Sequence, residues 1–178
     1  MTQTNLHDRP LTFDAKQQQQ MDRCLLQLSD QTGSPLVMVA DVSGRLVLYR
    51  GRLPAMQSTG LAALAAGSFA AGQEIGHFLG LQNSFQQQLL EGDQANLYTL
   101  AVGPELLLIV AFTRKTMLGI VRLLSQQAQQ ELLALAQEAA IERERAAQTE
   151  QPDVEAGFGE ALSQQLDELF SNNDLGVG

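Results

Sequence analysis

Few side chains in this 178-residue sequence are placed to do chemistry. Cys24 is the only cysteine, so no disulfide can close within the chain. It stands among Met21, Leu25 and Leu28 at helical spacing, which reads as a small buried hydrophobe rather than a nucleophile. Histidine occurs only at His7 and His77, too isolated to build a metal site. No glycine loop leads into a Lys-Ser/Thr pair, so the pattern of a P-loop nucleotidase is missing; Gly67 and Gly72 fall inside a helical stretch without that lysine. No carboxylate pair stands out in an expected cleft. Catalytic residues, metal ligands and cofactor contacts are therefore all expected to be none, and the chain reads as a module that works by binding another protein.

Charge points the same way. The formal net charge is −9, yet its distribution is uneven. Seven acids and no Lys or Arg lie between Ala147 and Gly178, which leaves the other 146 residues nearly neutral, at −2. No basic stripe is available to neutralise phosphates, which argues against nucleic-acid binding. The N-terminus has no apolar signal core. The longest apolar run, Leu106–Phe112, is far too short to cross a bilayer. The expectation is a soluble cytoplasmic protein without membrane insertion.

The elements that must hold its surfaces follow from periodicity. Residues 1–13 read as a loose arm. Asp14 and Gln17 have capping-box spacing, and Met21, Cys24, Leu25 and Leu28 repeat as one helical face that Gly33 and Pro35 end. The glutamines of 17–20 fall on its solvated side. Leu36–Ala40 is a continuous apolar run that fits a strand buried on both faces. Asp41-Val42-Ser43-Gly44 turns the chain into a second strand, 45–49. Pro54 leads into a second helix over about 57–79. Ser84–Leu90, Ala95–Val102 and Leu106–Thr113 read as three more strands. Thr116 is placed to cap a long third helix running to about residue 146, with Ser125 in its one polar core slot. The order is α-ββ-α-βββ-α: an α+β domain over 14–146 with a five-stranded antiparallel sheet between helices, or with one sheet face shared with a second chain.

Two surfaces invite partners. On a helical wheel the second helix gathers Leu61, Leu64, Ile75, Phe78 and Leu79 on one side, which reads as the core face. Ala62, Ala65, Ala66, Phe69, Gln73 and Gly76 gather on another. A helix apolar nearly all round is buried nearly all round, so this second, small-residue face is expected to meet a partner or a second copy, unless another element of the chain covers it. The third strand carries Gln86-Gln87-Gln88 and lacks the Lys or Pro that guard exposed edges. Antiparallel pairing with its symmetry mate would satisfy it through Phe85, Gln87 and Leu89, with Ala66 and Ala70 at the same interface, unless a loop of the chain covers the edge.

This order resembles the Roadblock / dynein light-chain family, and in particular its bacterial MglB-type members. The residues that carry the likeness are Leu36-Val-Met-Val-Ala-Asp-Val-Ser-Gly-Arg-Leu-Val, Leu61-Ala-Ala-Leu-Ala-Ala-Gly and Thr113-Arg-Lys-Thr-Met-Leu-Gly-Ile-Val-Arg, within about residues 14–140. The resemblance implies a homodimer joined through the third strand with the second helices side by side. It implies as partner a small Ras-like GTPase of MglA type, whose GTP hydrolysis is stimulated by repositioning its own switch residues. Arg50, Arg52 and Arg114 lie near strand ends, where an arginine finger could stand. The resemblance argues against one, and each reads first as a solvated surface arginine. A scaffold that tethers an assembly without altering hydrolysis is the alternative, and a small-molecule-sensing domain a third.

Beyond a linker at 147–157, residues 158–171 form an amphipathic pattern with Phe158, Leu162, Leu166, Leu169 and Phe170 as its apolar docking residues; 172–178 are expected to be disordered. So short a helix is marginal alone and usually orders by docking. A second site on the GTPase, the chain's own dimer, or no docking at all are the readings left open.

Overall fold

The computed structural model describes residues 10–81 and 85–149. The expectations for residues 1–9, for the segment 158–171 with Phe158, Leu162, Leu166, Leu169 and Phe170, and for 150–157 and 172–178 fall outside that range. The chain divides into two compact units, Met1–Ile141 and Glu142–Gly178.

The first unit realises the expected order. Helix α1 spans Ala15–Thr32, strand β1 Leu36–Asp41 and β2 Leu46–Gly51. Helix α2 spans Ala55–Phe78, followed by β3 Gln87–Glu91, β4 Ala95–Val102 and β5 Leu106–Thr113. Helix α3 begins at Leu118 and ends at Thr149, so its last described turns form the described part of the second unit. The five strands form one fully antiparallel sheet in the order β2-β1-β5-β4-β3. The edges are therefore β2 and β3.

Local chemistry sets the element ends. Asp14 and Gln17 form a reciprocal capping box at the start of α1. Gln17 is buried there, unlike the solvated glutamine expected at that position. Gly33 closes the helix in the left-handed conformation, φ 63°. In the first hairpin the Asp41 carboxylate accepts from the backbone N–H of Ser43 and of Arg45, at 3.0 and 2.9 Å. Gly44, at φ 91°, lies so close to α2 that an added Cβ would stand 2.8 Å from the Cα of Ala63. That turn requires glycine for both reasons.

Two layers of core enclose the sheet. Alternate residues of the central strands, Val37 and Val39 with Leu106, Leu108 and Val110, face the side covered by α1 and α3. Their neighbours Leu36, Met38, Leu107 and Ile109 face α2. Helices thus cover both faces, the first of the two arrangements read from the doubly apolar strands. Leu11 and Phe13 pack on the α1/α3 core, so the end of the expected N-terminal arm belongs to the domain.

Thr116 does not cap α3. Its hydroxyl donates to the carbonyl of Thr32, at 3.0 Å, and so ties the end of α1 to the β5–α3 turn. Helix α3 takes its first backbone bonds from Ile120 and Val121 to the carbonyl of Met117. Ser125 sits fully buried in the slot expected of it, and its hydroxyl finds no partner.

Candidate interaction surface

Helix α2 is where the fold leaves apolar surface uncovered. Its composition allows burial on any side, so the sheet decides which side goes in. The sheet face beneath it is bulky, built of Leu36, Met38, Leu107 and Ile109. A helix seated on such a face packs closely only by presenting small side chains, since interiors fill to near-crystalline density. Ala62, Ala65 and Ala66 accordingly face the sheet, with Phe69 as the one large residue among them, and all four are buried.

This reverses the assignment read from the wheel. The Ala62/Ala65/Ala66/Phe69 face is the core face, not a free partner surface. The bulky residues turn outward: Leu64 is 74% exposed, Phe78 90%, Leu79 66% and Ile75 55%. Only Leu61, at the margin, packs partly inside. The requirement for a second surface survives with its face exchanged. The stripe of alanines at 62, 65 and 66 closing on Phe69 was the available signal, because a regular run of small residues marks close approach as well as a large residue marks a core.

Not all of the expected partner residues are shut away. Phe69, Ala66, Ala70 and Gln73 line an open groove of about 350 Å³ between α2 and the β4–β5 turn, with Pro104 and Leu107 opposite. Ala70 is exposed and Gln73 half-buried. The Gln73 amide donates to the carbonyl of Phe85, which fixes the approach to β3. Ala62 and Ala65 do not reach this groove.

The third strand is shorter than expected. It starts at Gln87; Phe85 lies before it, 42% exposed, and Ser84 lies outside the described residues. Gln87 accepts a hydrogen bond from the Tyr98 hydroxyl, at 2.5 Å, and Leu89 packs partly on the α1/α3 core. Gln88 turns to the other face, where its carboxamide meets the Ser68 hydroxyl and carbonyl. These side chains therefore brace β3 against its own domain. What β3 offers outward is its backbone, together with the exposed Leu90.

The chemistry-bearing residues sit apart from this surface. The Cys24 thiol is buried beside α3, 3.9 Å from the Ala128 carbonyl, and desolvation, then the nearby Glu131 carboxylate, push its pKa up to about 12. That is a thiol held inert. Arg50 forms a two-pronged ion pair with Asp22 of α1, and the hydrogen bond to Asp22 is what raises its pKa. It is a strut between β2 and α1. Arg52 is exposed, and Arg114 borders a cavity of about 300 Å³ with Glu91, Asp93 and Asn96. Among the described residues no three His, Cys, Asp or Glu side chains gather as a metal site, and no helix is long and apolar enough to cross a membrane.

The comparisons agree with this architecture. The Roadblock/LC7 domain model matches residues 22–112, just over half of the chain. The chain belongs to the Roadblock/LC7 family. Among solved structures, it is similar to Myxococcus xanthus MglB, with 28% identity and a TM-score of 0.66 over 72% of this chain and 95% of that one. It is similar to the Thermus thermophilus gliding protein MglB, with 26% identity and a TM-score of 0.67 over 73% and 98%. An MglB with a tetrameric arrangement matches at 26% identity and a TM-score of 0.68 over 74% and 98%. A search of curated proteins found no match. The Roadblock fold here is thus MglB-like.

Proposed function

We propose that this chain is a cytoplasmic, homodimeric regulator of a small Ras-like GTPase of MglA type, and that it stimulates GTP hydrolysis by that partner. The reading rests on Roadblock/LC7 membership and similarity to MglB, together with one observation, the uncovered apolar face of α2 beside the β3 edge. In a twofold dimer the α2 helices lie side by side and the two β3 backbones pair, which covers Leu64, Ile75 and Phe78 and removes an open edge. Such a dimer presents a continuous surface on which the GTPase docks, with the groove at Phe69 and Gln73 at its margin.

The chain's part in catalysis is then positional. The reacting groups belong to the GTPase, and the regulator holds its switch segments in a productive arrangement. Arg50, already engaged by Asp22, is poorly placed to act as a finger. The test is phosphate release from the GTP-loaded GTPase with and without the full chain. Hydrolysis is expected to rise about tenfold or more, a barrier change of roughly 1.4 kcal/mol. Arg52→Ala and Arg114→Ala are expected to keep that stimulation. Loss of it with binding intact would restore the arginine finger, and binding without any acceleration in the unaltered protein would leave the scaffold reading in its place.

A further inference from the structure

A second apolar patch lies on the opposite side of the sheet, at the corner where β5 enters α3. Met117 is 70% exposed, Leu123 57% and Ile120 43%. They follow one another at three-residue steps, so their side chains form one short ridge. Gly119 sits beside them with nothing within 4 Å of its Cβ position, which leaves the ridge open to a backbone.

The rim of this ridge is cationic. Arg114, Lys115 and Arg122 are all exposed, and among the described residues none takes part in an ion pair. The stretch 106–130 holds these three bases and no acid, in a chain whose net charge is −9. Glu91 and Asp93 approach only the Arg114 end, across the cavity they share. A basic rim around exposed apolar side chains selects an occupant with apolar anchors and acidic flanks.

The sequence contains one such segment. Phe158, Leu162, Leu166 and Leu169 recur at helical spacing, and Glu150, Asp153 and Glu155 immediately precede the first of them, with no base after Arg145. We propose that the corner formed by Met117, Ile120 and Leu123 docks the acidic segment Phe158–Phe170 of a second copy of this chain. The apolar residues of the segment cover the ridge, and the acids ahead of Phe158 lie against Lys115 and Arg122. This link lies away from the α2 surface and does not depend on the GTPase.

The experiment uses the full chain with a photo-crosslinking residue at position 162, mixed from isotopically light and heavy batches. Irradiation followed by mass spectrometry is expected to give mixed-isotope pairs that join the segment to residues 115–123. Reversing charge with Lys115→Glu and Arg122→Glu is expected to lower their yield about threefold or more, at unchanged melting temperature, as rim charges do. Leu123→Asp is expected to abolish them. Crosslinks that map elsewhere, pairs of a single isotope only, or indifference to the charge reversal would each overturn the proposal. So would a corner that engages phosphatidylserine-containing vesicles through Leu123 while giving no crosslink to the segment.

Discussion

Cys24 carries a thiol that the fold has withdrawn from chemistry, and the withdrawal has a pH signature. Its pKa stands near 12 against an ordinary 9.0, chiefly because burial penalises the thiolate, with Glu131 adding repulsion. A raised acid pKa means that the folded chain keeps its proton while the unfolded chain loses it. The unfolded state therefore binds fewer protons once pH passes 9, and stability falls from there toward 12. Below 9 the contribution is constant. Urea midpoints measured across this range are expected to decline less steeply in Cys24→Ala than in the parent chain, after the fixed offset for the lost packing is removed. Parallel curves would mean that the thiol meets more water than its surroundings show. The sequence already placed Cys24 on a helical apolar face. What it could not show was Glu131, because that residue belongs to a helix more than 100 positions away.

Helix α2 separates what a sequence can specify about an element from what its neighbours decide. Periodicity located the helix within two residues of its ends and showed that it was apolar on two faces. It did not say which face turned inward, since that depends on the volume of the sheet residues beneath, brought together only by β1 and β5. The two faces make opposite predictions for similar substitutions. Ala66→Glu places a carboxylate in the layer between α2 and the sheet, at a residue only 3% exposed on the inner margin of the groove, and is expected to cost about 3 kcal/mol or more, visible as a collapse of the melting temperature. Leu64→Glu changes a residue 74% exposed in the single chain, and is expected to leave the monomer folded while weakening self-association in light scattering. If Leu64→Glu unfolded the chain and Ala66→Glu did not, the faces would be as the wheel first had them. Helix ends follow the same logic on a smaller scale. The Asp14–Gln17 capping box was readable because both partners are local. The Thr116 hydroxyl looks like a helix cap in the sequence because its actual partner, the Thr32 carbonyl, is 84 residues distant.

At the scale of the molecule, one domain of this size leaves more apolar surface open on α2 than a lone chain usually tolerates. Leu64, Ile75 and Phe78 of α2, and Leu79 at its end, each stand more than half exposed, beside the sheet edge at β3, whose outer side pairs with no strand among the described residues. Large contiguous patches of this kind mark association sites. If two copies close over this patch, folding and association are linked, and stability must depend on concentration. A hundredfold rise in protein is then worth about 2.7 kcal/mol of apparent stability by mass action. Urea denaturation at two concentrations a hundredfold apart is expected to show that displacement of the midpoint in the parent chain. Phe78→Glu, at a residue 90% exposed in the single chain, is expected to remove the concentration dependence while retaining a folded monomer at both concentrations. Equal midpoints in the parent chain would separate the α2 face from self-association, because an apolar helix face left open in a monomer would then be free for a different protein such as the proposed GTPase.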